Sequence, residues 1–508
     1  MAANRFFLLI PVVICVVLLT GIASASTIST PGNRFFFLEG MEVEEGLNLQ
    51  ASSQGLEGRF HLIIKNIGAD QNKFSFLLNP GLKVAKVFLN DDLLETSEGI
   101  DKKLGPFRSV TLSRNLKSGD EIIVTWQGQI LGKRFSDGKY INDDSMYFFE
   151  YSNFFPRFFL TPTNNVVKRF AVQLVIPSEF SQLIGNLVNL ETRPADSNFQ
   201  TFDFEFADPF NSSFFILKKF SCRTFSQNAL TLKLYKRTEW DESIATGIPF
   251  QAAFISNLFQ RLLNTSLNRG EITIVMEDPK RFTGGSSHKN FILVQEPVNE
   301  IHLTAHEIGH FFWNTENLQT VEKNTLYFSE NLYLTEGMSN FFAVFGFTMV
   351  NAWMEFFIEG SPVSFENCFE DWYTQKSALS KGFQKLSEKY SDAVKKNKVE
   401  LLKNDLSFNV NFSTMFFWAL MAKTSPEKFF PAVSRFYSEI SANKTAPDFQ
   451  HLFDLLNFPE GQIIKSDLKA GMKFINENWH AQDSRIFSWY SLKKFVDFID
   501  PANPGSRK

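Results

Sequence analysis

Of the seven histidines in this 508-residue chain, three fall between His302 and His310. His306 and His310 are four apart, a spacing that brings both imidazoles to one face of a helix, where they can grip one metal ion. Glu307 follows the first of them directly, so its carboxylate reaches water beside the metal without entering the coordination sphere. Zinc held by three protein groups keeps a fourth position open and lowers the pKa of water there towards neutrality. Glu307 then has the place of a general base, taking the water's proton and returning it to a leaving amine. The apolar neighbours Leu303, Ile308, Phe311, Phe312 and Trp313 mark the segment as a buried helix. Two histidines leave a third ligand to be found. The stretch from Glu330 to Ala343 offers two carboxylates, Glu330 and Glu336. Asn340, one turn beyond Glu336, orients a ligand histidine there or satisfies backbone and water instead.

These side chains need a scaffold, and the chain divides into two textures. From Thr27 to Arg223, short β-rich runs such as Phe60 to Lys65, Lys83 to Leu89, Glu121 to Trp126 and Ala171 to Pro177 alternate with turn residues, as in a β-sandwich. Beyond Leu230, strands at Glu271 to Met276 and Phe291 to Val294 precede helical periods at Glu300 to Trp313, Glu330 to Ile358, Glu366 to Lys396, Ser413 to Lys423 and Pro426 to Ile440. The charge-rich stretch Lys385 to Lys403 is expected to be a solvated helix or loop. Strands followed by helices make an α+β arrangement. The 59 phenylalanines are read as core filling. A net charge of -4 gives no basic footprint, so no nucleic-acid partner is expected.

The N-terminus has the order of a secretory signal: Arg5, an apolar run from Phe6 to Thr20, then Gly21, Ala23, Ser24 and Ala25, with cleavage expected after Ala25. An uncleaved anchor over Phe6 to Ala25 is the alternative. The secreted or periplasmic protein would keep Cys222 and Cys368, paired or as two free thiols.

The histidine motif followed by Asn331-Leu-Tyr-Leu-Thr-Glu336-Gly337 resembles the gluzincin metallopeptidases of the aminopeptidase N family. Phe154-Phe-Pro-Arg157 with Phe170 to Pro177 resembles the end of that family's N-terminal β domain, and Ser413 to Phe449 its helical C-terminal part. The resemblance implies an α+β fold, with an all-β sandwich-like domain preceding a thermolysin-like mixed α/β catalytic domain and a helical C-terminal part. With the signal peptide at 1–25, the division is the β domain at 27–225, a zinc metallopeptidase domain at 226–485 and a tail at 486–508. The resemblance makes Glu336 the third zinc ligand and a peptide or protein the substrate; no stable membrane partner is expected, since no second apolar run long enough to span a membrane follows. Three departures stand out. Twenty-five residues separate His310 from Glu336, more than is usual in the family, and the excess is expected to loop within Thr315 to Phe328. Where the family's Gly-x-Met-Glu-Asn strand has the glutamate that holds a substrate's amino group, this chain has Ser287. His288 and Lys289 then become substrate contacts or, more simply, loop residues facing solvent. Where the family has its oxyanion tyrosine, this chain has Val410, with Tyr373 and Tyr390 as conceivable substitutes. The expected activity is zinc-dependent hydrolysis of peptides without dependence on a free amino terminus. A zinc-retaining, catalytically weakened peptide-binding protein is the alternative, and a zinc hydrolase acting on a small molecule is a third reading that no residue supports.

Overall fold

The computed structural model describes residues 35–478, apart from 314–332, 347–377 and several shorter breaks. The N-terminal signal or anchor, Lys289, Glu330, Cys368, Tyr373 and His480 lie outside the described residues. Among those described, no helix is long and apolar enough to cross a membrane.

The N-terminal half is all β. Its main sheet has eight strands centred on Met41–Ser52, which pairs antiparallel with Gly55–Ile67 and parallel with Val166–Pro177. Along the central strand Met41, Val43, Leu47, Leu49 and Ala51 are buried, while Asn48 and Gln50 are exposed. That alternation gives the sheet one core face and one wet face. Two three-stranded sheets complete the half: Lys73–Leu77 with Gly105–Thr111 and Ser97–Asp101, and Gln182–Gly185 with Phe214–Leu217 and Ser145–Phe148. Much of the phenylalanine goes into this core. Phe60 stacks on Phe155 and Phe158 at 5.6 and 5.7 Å and meets Phe170 edge-on, contacts that add about 0.5–1.5 kcal/mol each beyond burial. The strand containing Phe170 to Pro177 does not end this half. Four further strands, Gln182–Gly185, Leu187–Pro194, Phe199–Phe206 and Phe214–Leu217, come after it.

The second half is built on a five-stranded sheet in the order Phe220–Gln227, Leu230–Arg237, Glu271–Glu277, Phe291–Gln295, Gly285–Ser287. It begins at Phe220, a few residues before the expected change of domain. The middle pairs are parallel and both outer pairs antiparallel. Both faces are covered, so Ile272 to Glu277 is a continuous buried run rather than an alternating one. Ile272, Ile274, Met276, Ile292 and Val294 join the helices in one core; Val275, Phe291 and Leu293 join the β half in another. Glu277, fully buried on that second face, ties the halves together. It accepts from Arg237 Nε and Nη2 at 2.9 and 2.6 Å, from Tyr147 and, at 3.2 Å, from Ser145. Burial and the neighbouring Glu277 charge push the Tyr147 phenol well above its ordinary pKa.

The helix Glu242–Leu262 connects two parallel strands of this sheet, and the C-terminal helices stack on the same side. Several helical expectations shift. The helix expected from Ser413 begins at Leu406, because Asp405 caps it by accepting from Phe408 N at 2.9 Å. Lys385 to Lys403 is mostly helix, Ala378–Lys395 then Val399–Leu402, with Leu386, Ala393 and Leu402 buried and the charges outside. Cys222 is a free, exposed thiol.

Candidate metal centre

The helix Ile301–Gly309 is short, and His310 is the first residue beyond it. The helical register persists because His310 N–H donates to the His306 carbonyl at 3.2 Å, so both imidazoles keep one face. The helix is buried between the sheet and the C-terminal helices, with Leu303, Ala305 and Ile308 in the core and Trp313 wedged 5.0 Å from Tyr437. Glu307, 3% exposed, points at the edge strand Gly285–Ser287, where a side chain on Gly285 would overlap its Oε1. Gly285 therefore leaves room for the carboxylate.

The second segment is not an ordinary helix where it matters. Tyr333–Met338 is a single π-helical turn that continues as helix through 339–346. Such turns are rare and concentrate at functional sites. This one carries Glu336 to the two histidines: Glu336 Oε2 lies 3.4 Å from His306 Nε2 and Oε1 lies 3.7 Å from His310 Nε2, while the two Nε2 atoms are 3.0 Å apart. Ligand atoms about 2.0–2.1 Å from one tetrahedral ion stand about 3.4 Å from one another. One ligand atom from each of the three residues lies within 4.8 Å of the others, with a different Glu336 oxygen nearest each histidine, and two imidazoles with a carboxylate suit zinc. This is the one group of metal-ligating side chains found among the described residues.

Around this cluster the details differ from the sequence expectations. Asn340 does not turn to a histidine; its amide donates to Thr414 Oγ1 at 2.9 Å, tying the helical stretch 339–346 to the helix Leu406–Thr424. The residue that meets the back of His310 is Ser339, whose Oγ lies 3.1 Å from Nδ1. Sequence reasoning missed it; the available signal was a small hydroxyl three residues after Glu336. His306 Nδ1 is buried with no partner among the described residues. Val410 lies in the helix Leu406–Thr424, its carbonyl accepting from Ser413 and Thr414 at 3.0 and 2.8 Å; its side chain offers no donor.

On the edge strand, Ser287 is half-buried at the last paired position, opposite Ile292. His288 is not a solvent-facing loop residue. It is 9% exposed, stacked on Phe149 and Phe291 at 5.3 and 4.8 Å, with Nε2 3.1 Å from Ser286 Oγ. Ser286 in turn lies 3.3 Å from the hydroxyl of Tyr151, which the β half contributes. The backbone alternation explains the difference: Gly285 and Ser287 face the helix side, whereas Ser286 faces the β half. His302 sits in the first turn of the helix Ile301–Gly309. His61 and His451 each meet a single carboxylate, Glu121 and Glu439 respectively. Tyr390 packs against the helical core, and burial raises its pKa.

No family model and no curated protein matches the sequence. Solved structures do match in three dimensions. An M1 zinc metallopeptidase from Deinococcus radiodurans superposes with a TM-score of 0.51 at 13% identity, over 86% of this chain and 95% of that one. A point variant of a two-domain M1 zinc metallopeptidase bound to L-arginine gives a TM-score of 0.54 at 14% identity, over 85% and 94%. A variant of the Deinococcus radiodurans enzyme bound to a Tyr-Ser-Ala substrate gives 0.52 at 13% identity, over 86% and 94%. The fold of this chain is therefore the two-domain α+β fold of the M1 zinc metallopeptidases, the gluzincin architecture that the motifs resembled.

Proposed function

We propose that the chain is an exported zinc-dependent peptidase, with His306, His310 and Glu336 holding the metal and Glu307 as general base. The observation that carries this reading is the convergence of His306, His310 and Glu336 close to the buried carboxylate of Glu307. Zinc in that site supplies a Lewis acid that polarises a carbonyl and acidifies water. Glu307 removes the water's proton and delivers it to the departing amine. Because Ser287 stands where a carboxylate would pair a substrate's ammonium, free and acetylated peptides should be cut comparably. The signal at residues 1–25 supports export, and the secreted protein should begin at Ser26. Glu307→Gln should retain zinc while losing at least about 100-fold in kcat. Equal turnover by this variant and the wild type in a peptide-library digest would remove Glu307 from the mechanism.

The alternative is a zinc-retaining peptide-binding protein, and Val410 is the observation in its favour. One missing oxyanion donor typically costs about 10²–10³ in rate. Peptide binding without cleavage by the zinc-loaded wild type would establish it.

A further inference from the structure

We infer that Ser339 is a positioning residue for the metal site, holding His310 in the tautomer whose Nε2 lone pair is free for the ion. The inference rests on the zinc reading above. A neutral imidazole carries one ring proton, and only the nitrogen without it can ligate. The Ser339 hydroxyl, 3.1 Å from Nδ1, accepts the Nδ1–H and leaves Nε2 as the lone-pair atom, the one that faces His306 and Glu336.

Two features show that this contact is built rather than incidental. Ser339 is fully buried, so its hydroxyl has no bulk water to turn to. The helix Ile301–Gly309 also approaches it closely: a methyl group on Gly309 would lie 2.9 Å from Ser339 Cα, 3.0 Å from its Cβ and 3.1 Å from its carbonyl oxygen. The absent side chain at 309 thus sets the distance at which the neighbouring His310 ring meets the hydroxyl. His306 has no such clamp among the described residues, since its Nδ1 is unpartnered there. One short segment therefore delivers two services three residues apart, the third ligand at Glu336 and the anchor of the second ligand at Ser339. Hydrogen-bond partners of ligand histidines commonly govern affinity in this way.

The test is zinc affinity of the full mature chain, measured by competition with a chromogenic chelator. Ser339→Ala should weaken zinc about 10–100-fold. Gly309→Ala, which keeps the hydroxyl but forces the elements apart, should weaken it as well. Asn340→Ala, which breaks only the bond to Thr414, should leave it unchanged. Imidazole nitrogen NMR on the metal-free wild type should show His310 as the Nδ1–H form. Unchanged affinity in Ser339→Ala, or a wild-type His310 protonated on Nε2, would overturn the inference while leaving the zinc reading intact. A wild type that takes up no zinc would end both.

Discussion

Two polar clusters lie on opposite faces of the five-stranded sheet, one buried and one partly open. On the β-half face, Glu277 is surrounded by groups that complete it: Arg237, Arg281 at 3.6 Å, Tyr147 and Ser145, with Asp144 meeting Arg237 at 3.3 Å. Two acids face two guanidiniums, and the cluster balances its own charge. On the helix face, His306, His310 and Glu336 bring candidate ligand atoms within 4.8 Å of one another. The first arrangement fastens two halves of a protein together. On the reading proposed above, the second takes a cation from outside to complete it, and that separates a binding site from a structural ion cluster.

The strongest way to break that comparison is Glu277→Ala. Removing the acid strands two buried cations, which should cost about 3–5 kcal/mol in urea denaturation while zinc uptake persists. A loss under about 1 kcal/mol would show that the cluster does not fasten the halves. The next effect belongs to the other face. Free zinc at about 100 times its Kd should stabilise the wild type by about 2.7 kcal/mol, and the same increment should appear in Glu277→Ala. His306→Ala should show none, and an increment there would relocate the site.

The smallest effect concerns a third acid. Glu45 lies on the inward side of Met41–Ser52, between Val43 and Leu47, where burial pushes its carboxyl up to about 8 against the lowering influence of Arg157. With an ordinary carboxyl pKa of 4.5 in the unfolded chain, its contribution to stability is full below that pH and is lost as pH rises through 8. Allowing for its partial exposure, the loss should be on the order of 1–2 kcal/mol between pH 5 and 8. Glu45→Gln should flatten that part of the stability profile; an unchanged slope would assign it to other groups.

Legibility in the sequence tracked the range of the interaction. The pair at His306 and His310 needs only four residues of helix, so spacing alone brought out its shared face. The sandwich strands were visible because inward and outward residues alternate along them. Ser339 was missed in favour of Asn340 because ordinary helical spacing was assumed, whereas the π turn at Tyr333–Met338 shifts the helical phase of residues 339–346. The start at Leu406 depended on a cap, Asp405, outside the apolar period. The Glu277 cluster could not be read at all: its partners Ser145 and Tyr147 lie 132 and 130 residues away, and nothing local predicts that meeting.

The second core has a consequence for how such a chain can be rearranged. Val275, Phe282, Phe291 and Leu293 come from the later half of the sequence yet pack among the side chains of the earlier half. A cut near Phe220 would divide the sheets but leave each fragment with an oily scar. Exchange of the front half between homologues, in the laboratory or by recombination, would require a matched set of these four residues to travel with it. In its sheets the chain has two parts, but as a unit of engineering it has one.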